Sequence, residues 1–327
     1  MKFNIMLCAL VVLAAAARVN AQKLEPAVLA YGSTGANLTP FWVARDAGVY
    51  RQYGLEVETV FFRGSTIAIN ALATRDAHFG SFGASSAVLA KLGGVDAVVI
   101  ATAAPGLLFY LIAKPEIKTA TDLRGKKIAI SRPGTDSDLG ARVAVQRLGL
   151  VEKDVSFISL GTDAERLAAM SQGVVNATVA TVSGYVTAQK MGFHSILDLS
   201  QANIPYEAAG LITTRSLIKD RPDFVMKYMK GFVAGIHYAK TQREPTLKIL
   251  SKYMRTNDRD VLNASYDYFV GRIIPRVPYV SEKGLQAVID SIRQRNPQMP
   301  NVKPQEFMDN RFVKELDESG FIKALYR

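Results

Sequence analysis

Short apolar runs alternate with segments of helical periodicity over the first two thirds of the chain. The apolar runs have the length and composition of buried strands, and the segments between them repeat apolar residues at helical spacing. The pattern predicts strands at 27–31, 55–62, 78–81, 97–102, 107–113, 127–131, 155–159, 177–180, 195–199 and 208–214. It predicts helices at 40–53, 65–74, 85–92, 136–148, 163–172 and 183–191. Such alternation predicts parallel sheets with helices on both faces.

Two places break this alternation. The strands at 97–102 and 107–113 are joined only by Ala103–Gly106, which leaves no room for a crossover helix, so the second strand is predicted to run antiparallel. Lys114-Pro115 then begins a new unit. After the last predicted strand the pattern turns helical, at 222–253, 258–269, 282–293 and 311–319.

This order predicts an α/β protein of two doubly wound lobes that the chain crosses twice. Lobe one would hold 22–113 and 209–327, and lobe two would hold 114–208. Two crossing segments between compact lobes form a hinge, because few contacts resist bending there. One large sheet followed by helices is the alternative. A length of 327 residues allows about two domains.

The N-terminus has the pattern of a cleaved signal peptide at 1–21. Lys2 precedes an apolar run at 5–17, and small residues at Val19 and Ala21 predict cleavage after Ala21. A membrane anchor is the alternative, but the run is shorter than the ~20 residues that cross a bilayer. Gln22, not cysteine, would begin the mature chain, so we expect a periplasmic protein without a lipid anchor.

Cysteine content and charge exclude several function classes. The single cysteine, Cys8, lies within the predicted signal peptide, so disulfides, thiolate nucleophiles and cysteine-bound metals are not expected. The chain has 40 basic and 29 acidic residues, a net charge of +11. These charges are dispersed, without basic–aromatic alternation, which argues against nucleic-acid binding. They indicate either a mild attraction for anionic solutes or solubility alone.

The loops after the predicted strands carry the candidate binding chemistry. Ligands of open α/β sheets bind beyond the carboxyl ends of the strands. Each loop combines glycine, which permits close backbone approach, with a hydroxyl donor at a helix start, which favours anions. Any one loop is equally well read as a helix cap, but six loops from both lobes indicate a shared cleft. They lie at 32–37, 63–66, 83–86, 132–137, 161–163 and 181–185.

Aromatic residues near these loops are candidate cleft walls. Adjacent helical residues point about 100° apart, so Phe41 and Trp42 cannot face the same way. We expect Phe41 to face the ligand and Trp42 to pack in the core. Tyr185 is a second candidate wall, and core packing is the alternative for each residue.

Catalytic motifs are absent from the sequence. His78, His194 and His237 lack metal-like partners, and no nucleophile elbow, zinc-protease motif or phosphate-loop lysine occurs. Asp136 and Asp138 are either a carboxylate pair or the cap and first-turn acids of a helix. We therefore predict a binding protein rather than an enzyme, without metal or cofactor.

Several motifs carry a resemblance to a known family. The order of strand, G-S-T and P-F-W-V-A-R-D-A-G-V-Y-R-Q-Y-G-L-E-V resembles the nitrate/sulfonate/taurine class of substrate-binding proteins of ABC transporters, which includes SsuA/THI5-like and NMT1-like proteins. The resemblance covers about residues 25–240. Its motifs are that segment at 40–57, D-A-H-F-G-S-F-G-A-S-S at 76–86, D-L-R-G-K-K-I-A-I-S at 122–131, R-P-G-T-D-S-D-L at 132–139 and R-L-A-A-M-S-Q-G at 166–173.

The resemblance implies a type II periplasmic binding fold, whose lobes close on a solute and dock on an ABC permease in the inner membrane. It implies a monomer and a sulfonate, nitrate, taurine-like or pyrimidine-like solute. The ligand-binding positions that it implies are Ser33, Thr34, Phe41, Gly64, Ser65, Ala84 and Ser85 in lobe one, with Gly134, Thr135, Asp136, Thr162 and Ser183 in lobe two.

Asp136 departs from what an anion site needs. If its carboxylate faces the cleft, a sulfonate or nitrate is disfavoured, whereas the objection weakens if it caps its own helix. Arg63 and Arg132 are close enough in sequence to supply a cation. A neutral or zwitterionic heteroaromatic solute therefore stays open.

Two functions from other classes stay open as well. One is a sensory or scavenging module that never meets a transporter. The other is a pyrimidine-forming enzyme of thiamine synthesis, which shares the fold and which this chain resembles distantly. That enzyme carries a cysteine-rich motif, which this chain lacks.

Overall fold

The computed structural model describes residues 23–62, 68–202 and 204–327, so the predicted signal peptide lies outside the described residues. Within them, the strands form two five-stranded sheets. All the predicted strands are confirmed, with ends that differ by a few residues. They are β1 Glu25–Tyr31, β2 Leu55–Phe61, β3 Phe79–Phe82, β4 Ala97–Pro105, β5 Tyr110–Ala113, β6 Lys127–Ile130, β7 Ser156–Ser159, β8 Ala177–Ala180, β9 His194–Asp198 and β10 Glu207–Thr214.

The two sheets have the same strand order. The first runs β2-β1-β3-β10-β4, with β1 parallel to its neighbours and β10 antiparallel to both β3 and β4. The second runs β7-β6-β8-β5-β9, with β6 parallel to its neighbours and β5 antiparallel to β8 and β9. In each sheet the antiparallel strand enters directly from the other sheet. The predicted two-lobed α/β fold is confirmed.

The predicted lobe boundaries of 22–113 plus 209–327 and 114–208 differ from the structure. The antiparallel direction predicted for β5 is correct, but β5 pairs with β8 and β9 in the second sheet. The first crossing therefore lies between Pro105 and Tyr110, and the second between Asp198 and Glu207. This short link leads directly into the second sheet, where the backbone groups of β5 form hydrogen bonds with β8 and β9. Hereafter lobe one is 23–105 plus 207–327, and lobe two is 110–198.

The two crossing segments lie side by side. Gly106 donates its backbone N–H to the Tyr206 carbonyl over 2.7 Å. The φ of Gly106 is +95°, which a residue with a Cβ rarely adopts. The hinge is therefore a pair of hydrogen-bonded segments.

Helices fill the remaining sequence, and two predicted helices are divided. The one predicted at 40–53 breaks at Gly48, whose φ is +70°, and the one predicted at 222–253 breaks at Gln242. Part of the helix predicted at 65–74 lies outside the described residues. The helices are α1 Thr39–Asp46, α2 Val49–Gln52, α3 Asn70–Ala73, α4 Ala84–Leu92, α5 Asp136–Arg147, α6 Asp163–Ser171, α7 Val182–Lys190, α8 Arg215–Asp220, α9 Pro222–Thr241, α10 Arg243–Met254, α11 Arg259–Ser265, α12 Glu282–Arg295, α13 Arg311–Glu318 and α14 Phe321–Leu325.

A π-helix, Tyr266–Ile273, continues directly from α11. In the part of the chain that the structure describes, no helix combines the length and apolar character of a membrane span.

Helix α1 is buried on two sides, which decides the roles of its aromatic residues. Trp42 stacks on Tyr253 of α10 with ring centres 4.7 Å apart, as the core role predicted for it requires. Phe41 stacks on Phe232 of α9, also at 4.7 Å, and is fully buried. The expectation that Phe41 faces the ligand is wrong, because α9 and α10 cover both sides of the helix.

Replacing Phe41 tests this packing. We expect Phe41→Ala to lower the free energy of unfolding by about 3–5 kcal/mol, since it removes a buried ring and leaves a cavity. Urea unfolding followed by circular dichroism measures the change. Val174→Ala, at a side chain that is 47% exposed, is the control and should change stability little. A loss below about 1 kcal/mol for Phe41→Ala would contradict the packing.

Candidate functional site

A cavity of about 610 Å³ lies between the lobes. Its walls come from the loops after β1, β3, β6, β7 and β8, from the first crossing segment, from the start of β10, and from the turn between α10 and α11. The helices that follow three of these loops, α5, α6 and α7, start at the cavity. The cavity therefore lies at the carboxyl ends of the strands, where open α/β sheets bind their ligands.

Half of the predicted site residues line this cavity, and their role as ligand contacts stays a prediction. The lining residues are Ser33, Thr34, Thr135, Asp136, Thr162 and Ser183. Ala84, Ser85 and Gly134 are absent from the lining, and Phe41 belongs to the core. Gly64 and Ser65 lie outside the described residues.

Other lining residues escaped the sequence analysis. Ser81 precedes the predicted glycine loop, and its strand position indicated only burial. Arg255, Thr256 and Phe269 come from the C-terminal helical region, which carried no strand–loop signal. Tyr185, a candidate wall, is absent from the lining and stacks on Tyr110 with ring centres 4.4 Å apart.

Three hydroxyl groups form a cluster on the lobe-two wall. The Ser131 hydroxyl lies 2.8 Å from those of Thr135 and Ser137, which are 3.1 Å from each other. The backbone N–H of Ser131 donates to Ser137 Oγ over 2.9 Å, and Thr135 Oγ1 donates to the Arg132 carbonyl over 2.7 Å. These bonds fix three hydroxyl oxygens at the wall, and Thr135, whose single hydroxyl proton goes to the Arg132 carbonyl, can only accept a hydrogen bond from a solute.

A buried arginine fixes the two neighbouring lobe-two loops. Arg166 is 2% exposed and donates to Thr178 Oγ1 and to the Val179 carbonyl, both over 3.0 Å. It also pairs with Asp163. Burial lowers the pKa of Arg166, and Asp163 opposes that shift. Asp163 in turn accepts from the backbone N–H and hydroxyl of Thr181, which ties the loop after β7 to the loop after β8.

Asp136 reaches from lobe two to the other lobe. Its Oδ1 accepts hydrogen bonds from the Tyr206 hydroxyl over 2.6 Å and from the Ser85 hydroxyl over 3.1 Å. A Cβ added at Gly83 would overlap the carboxylate, which therefore lies directly against the start of α4. The sequence left two orientations open for Asp136, toward the cleft or as the cap of its own helix. In the structure Asp136 lines the cavity, as in the first orientation, and it also contacts the first turn of a lobe-one helix.

The surroundings of this carboxylate change its protonation. Burial raises the pKa of Asp136 to about 6, although the hydrogen bonds from Tyr206 and Ser85 oppose the shift. Burial, and then the charge of Asp136, raise the pKa of Tyr206 well above its ordinary value. Tyr206 therefore stays a neutral hydrogen-bond donor.

Asp138, two residues further along α5, makes a second contact between the lobes. Its buried carboxylate accepts from Arg142 Nε over 2.7 Å and from Arg295 Nη1 of α12, in lobe one, over 2.9 Å. The backbone N–H of Gly134 also donates to it, over 2.8 Å. Asp136 and Asp138 thus have separate donors, and the carboxylate-pair interpretation is wrong.

The lobes also meet at α7. Lys190 Nζ lies 2.6 Å from an Asp258 oxygen and 2.8 Å from Asp260 Oδ2, both in lobe one. These side chains are largely exposed, so this contact contributes little stability of its own.

A second buried carboxylate, Glu207, lies beside Tyr206 at the start of β10. Its Oε1 accepts the backbone N–H of Ser281, the residue before α12, over 2.7 Å. Burial raises the pKa of Glu207 to about 7. Two carboxyl groups with raised pKa values therefore lie at or next to the second crossing segment.

Among the described residues, no group of three or more histidine, cysteine, aspartate or glutamate side chains is arranged to hold a metal ion. The described cavity lining includes no histidine, lysine or cysteine. Its chemistry is that of hydroxyls, backbone groups, carboxylates and arginine. This set can hold a polar solute by hydrogen bonds.

Comparison with known proteins identifies a family. The model of the NMT1/THI5-like family matches residues 35–245. The predicted resemblance is thereby confirmed. A curated relative from Brucella abortus (strain 2308), described as a binding protein, is 30% identical over 118 residues. The match covers 36% of this chain and 36% of the relative, so only about a third of the relative's length is matched.

Solved structures share the fold. The periplasmic aliphatic sulphonate-binding protein from Escherichia coli superposes with a TM-score of 0.70 at 21% identity, covering 88% of this chain and 92% of that one. The ligand-binding component of an ABC-type import system from Staphylococcus aureus, with zinc bound, has a TM-score of 0.75 at 14% identity. It covers 89% of this chain and 98% of that one. At these identities the likeness shows the fold alone.

The raised pKa of Asp136 makes stability depend on pH. Between its ordinary pKa near 4 and about 6, the folded protein holds a proton that the unfolded chain has lost, so the Asp136 contribution falls as pH rises through this window. We expect Asp136→Asn to remove this slope and to be more stable relative to wild type at pH 7 than at pH 4, by about 1–3 kcal/mol. Urea unfolding at a series of pH values measures the slope.

Glu207→Gln is the matched control, since it removes the other raised pKa. It should flatten the pH dependence up to about pH 7, where the Glu207 contribution is lost. A wild-type slope between pH 4 and 6 that Asp136→Asn leaves unchanged would show that Asp136 is not buried as described.

Proposed function

Because the chain belongs to the NMT1/THI5-like family and encloses a cavity between its two lobes, we propose that it is an extracytoplasmic solute-binding protein of an ABC importer. The observation that carries this proposal is that both lobes line one cavity. A solute held there contacts both lobes at once. Such contacts favour the closed arrangement, because a ligand shifts an equilibrium only through its differential affinity for the two states.

The cavity suits a small polar molecule. Its volume of about 610 Å³ lies within the range of small-molecule sites, roughly 300–1,000 Å³. The hydroxyl cluster of Ser131, Thr135 and Ser137 presents hydroxyl oxygens on one wall, and Ser33 and Thr34 line another part. The family and these groups support a solute receptor for a sulfonate, nitrate, taurine-like or pyrimidine-like compound.

Location and partners form part of the same proposal. The structural neighbours include a periplasmic binding protein and a component of an import system. With the predicted signal peptide, they support a monomeric periplasmic protein that delivers its solute to a permease in the inner membrane.

We propose binding rather than catalysis. Each of the three carboxylates described at the cavity is engaged in the architecture: Asp163 fixes a loop, Glu165 caps α6 with Thr162, and Asp136 joins the lobes. The histidines lie elsewhere. His78, for example, accepts the backbone N–H of Val28 and contacts the ring of Phe224.

A thermal-shift screen of the purified protein tests this function. The compounds are sulfonates, nitrate, carboxylates, aromatic acids and pyrimidines. A solute present at one hundred times its Kd stabilises the folded state by about 2.7 kcal/mol, so one chemical class should raise the melting temperature clearly. If no class does so, the proposal fails.

Two variants localise the binding to the cavity. Thr135→Phe and Ser183→Phe place a ring at its wall, and each should abolish the shift. Ser183 is only partly buried, so its variant should fold even if Thr135→Phe is destabilised. Thr241→Phe, at the exposed end of α9, adds the same bulk elsewhere and should keep the shift. Binding that survives in both cavity variants would place the solute elsewhere.

A further inference from the structure

The start of α4 forms a distinct corner of the cavity. This α4 corner consists of Ser81, Gly83 and the Asp136 carboxylate, which line the cavity, and of Ser85 and Tyr206, whose hydroxyls contact that carboxylate from outside the lining. The helix has nine residues, and no side chain of its own N-cap residue, Gly83, satisfies its first N–H groups. The N-terminus of a helix attracts anions through these groups and the helix dipole.

Two hydroxyl donors already meet an anion in the α4 corner. The Tyr206 and Ser85 hydroxyls both donate to the same oxygen of Asp136. Among the described residues, Asp136 forms no ion pair with a lysine or arginine. The carboxylate of lobe two therefore lies at the place where the lobe-one helix and its neighbours would hold the anionic group of a solute.

Ser81 gives independent evidence that the α4 corner binds a ligand. Its side chain is 2% exposed, it lines the cavity, and its Oγ has no hydrogen-bond partner within the described chain. Buried polar atoms are rarely left unpaired. Ser81 lies in β3 and only Phe82 separates it from Gly83, so its unpaired hydroxyl lies at the cavity wall near the start of α4.

We propose that Asp136 determines the specificity of the cavity, because its carboxylate occupies the anion position of the α4 corner and excludes anionic solute groups from it. This inference rests on the proposed solute-binding function. Among the described residues, no lysine or arginine bonds the Asp136 carboxylate, so a second anion here would meet its charge directly. An amine, amidine or amide N–H is favoured instead, since it donates to the carboxylate and Ser81 Oγ accepts a further bond.

Removing the carboxylate should convert the α4 corner into an anion site. Asp136→Ala leaves a space of carboxylate size that is bounded by two hydroxyl donors and the helix start. We expect formate and acetate to raise the melting temperature of this variant and to bind it at least tenfold more tightly than they bind wild type. Chloride at equal ionic strength is the reference, and nitrate and methanesulfonate probe the larger anions.

Matched variants separate this effect from other causes. Asp136→Asn removes the charge but still fills the space, so formate should not stabilise it. Asp290→Ala makes the same change of net charge at an exposed residue of α12 and should gain no anion affinity. Asp136→Ser, which keeps a polar side chain, replaces the alanine variant if that protein fails to fold.

The proposal is overturned if neither Asp136→Ala nor Asp136→Ser gains formate affinity beyond Asp290→Ala, or if wild type binds formate as tightly as they do. The readout needs no native solute. Rescue by formate with an empty solute screen would therefore refute the transport function alone. A successful screen without rescue would refute the role of Asp136 alone.

Discussion

The hydrogen bonds from Tyr206 and Ser85 to the Asp136 carboxylate connect lobe two, lobe one and the second crossing segment beside the cavity. Asp136 begins α5 in lobe two, Ser85 lies in the first turn of α4 in lobe one, and Tyr206 belongs to the second crossing segment. A partly buried carboxylate without an ion pair is costly unless its hydrogen bonds are good. These hydrogen bonds therefore constrain the position of lobe two relative to lobe one at the start of α5.

The two walls of the cavity are built differently around this constraint. In lobe two, the Ser131, Thr135 and Ser137 hydroxyls bond one another, and the buried Arg166 holds the neighbouring loops after β7 and β8. In lobe one, the Ser81 hydroxyl has no hydrogen-bond partner among the described residues. A solute that bonds both the fixed hydroxyls of lobe two and this unpaired hydroxyl gains contacts with both lobes, as a receptor requires.

The sequence was sufficient for the elements that depend on local pattern. Strand positions follow from apolar runs, and the loops that line the cavity follow from the rule that ligands bind beyond the carboxyl ends of strands. Ser33, Thr34, Thr135, Thr162 and Ser183 were found in this way, and all line the cavity. The order of the predicted elements, with which the family motifs agree, indicated the two-lobed architecture, and the matching strand orders of the two sheets confirm it.

The errors concern contacts between distant parts of the chain. The lobe to which β5 belongs is decided by the sheet in which it finds neighbouring strands. The amino-acid composition of β5 does not reveal that sheet. Phe41 is buried because α9 packs over α1, although nearly two hundred residues separate them. The orientation of Asp136 stayed open between the cleft and its own helix, because the sequence shows only the helix that it starts, whereas Tyr206 and Ser85 contact it from distant parts of the chain.

A double-mutant cycle between Asp136 and Tyr206 tests the central contact most directly. The free energies of unfolding of wild type, Asp136→Ala, Tyr206→Phe and the double variant would be measured at pH 7.5. Groups that share a buried, charge-assisted hydrogen bond couple by about 0.5–3 kcal/mol, and we expect a value in this range that favours the native pair. Additivity within about 0.3 kcal/mol would contradict the account, because it would mean that the carboxylate and the hinge tyrosine do not interact.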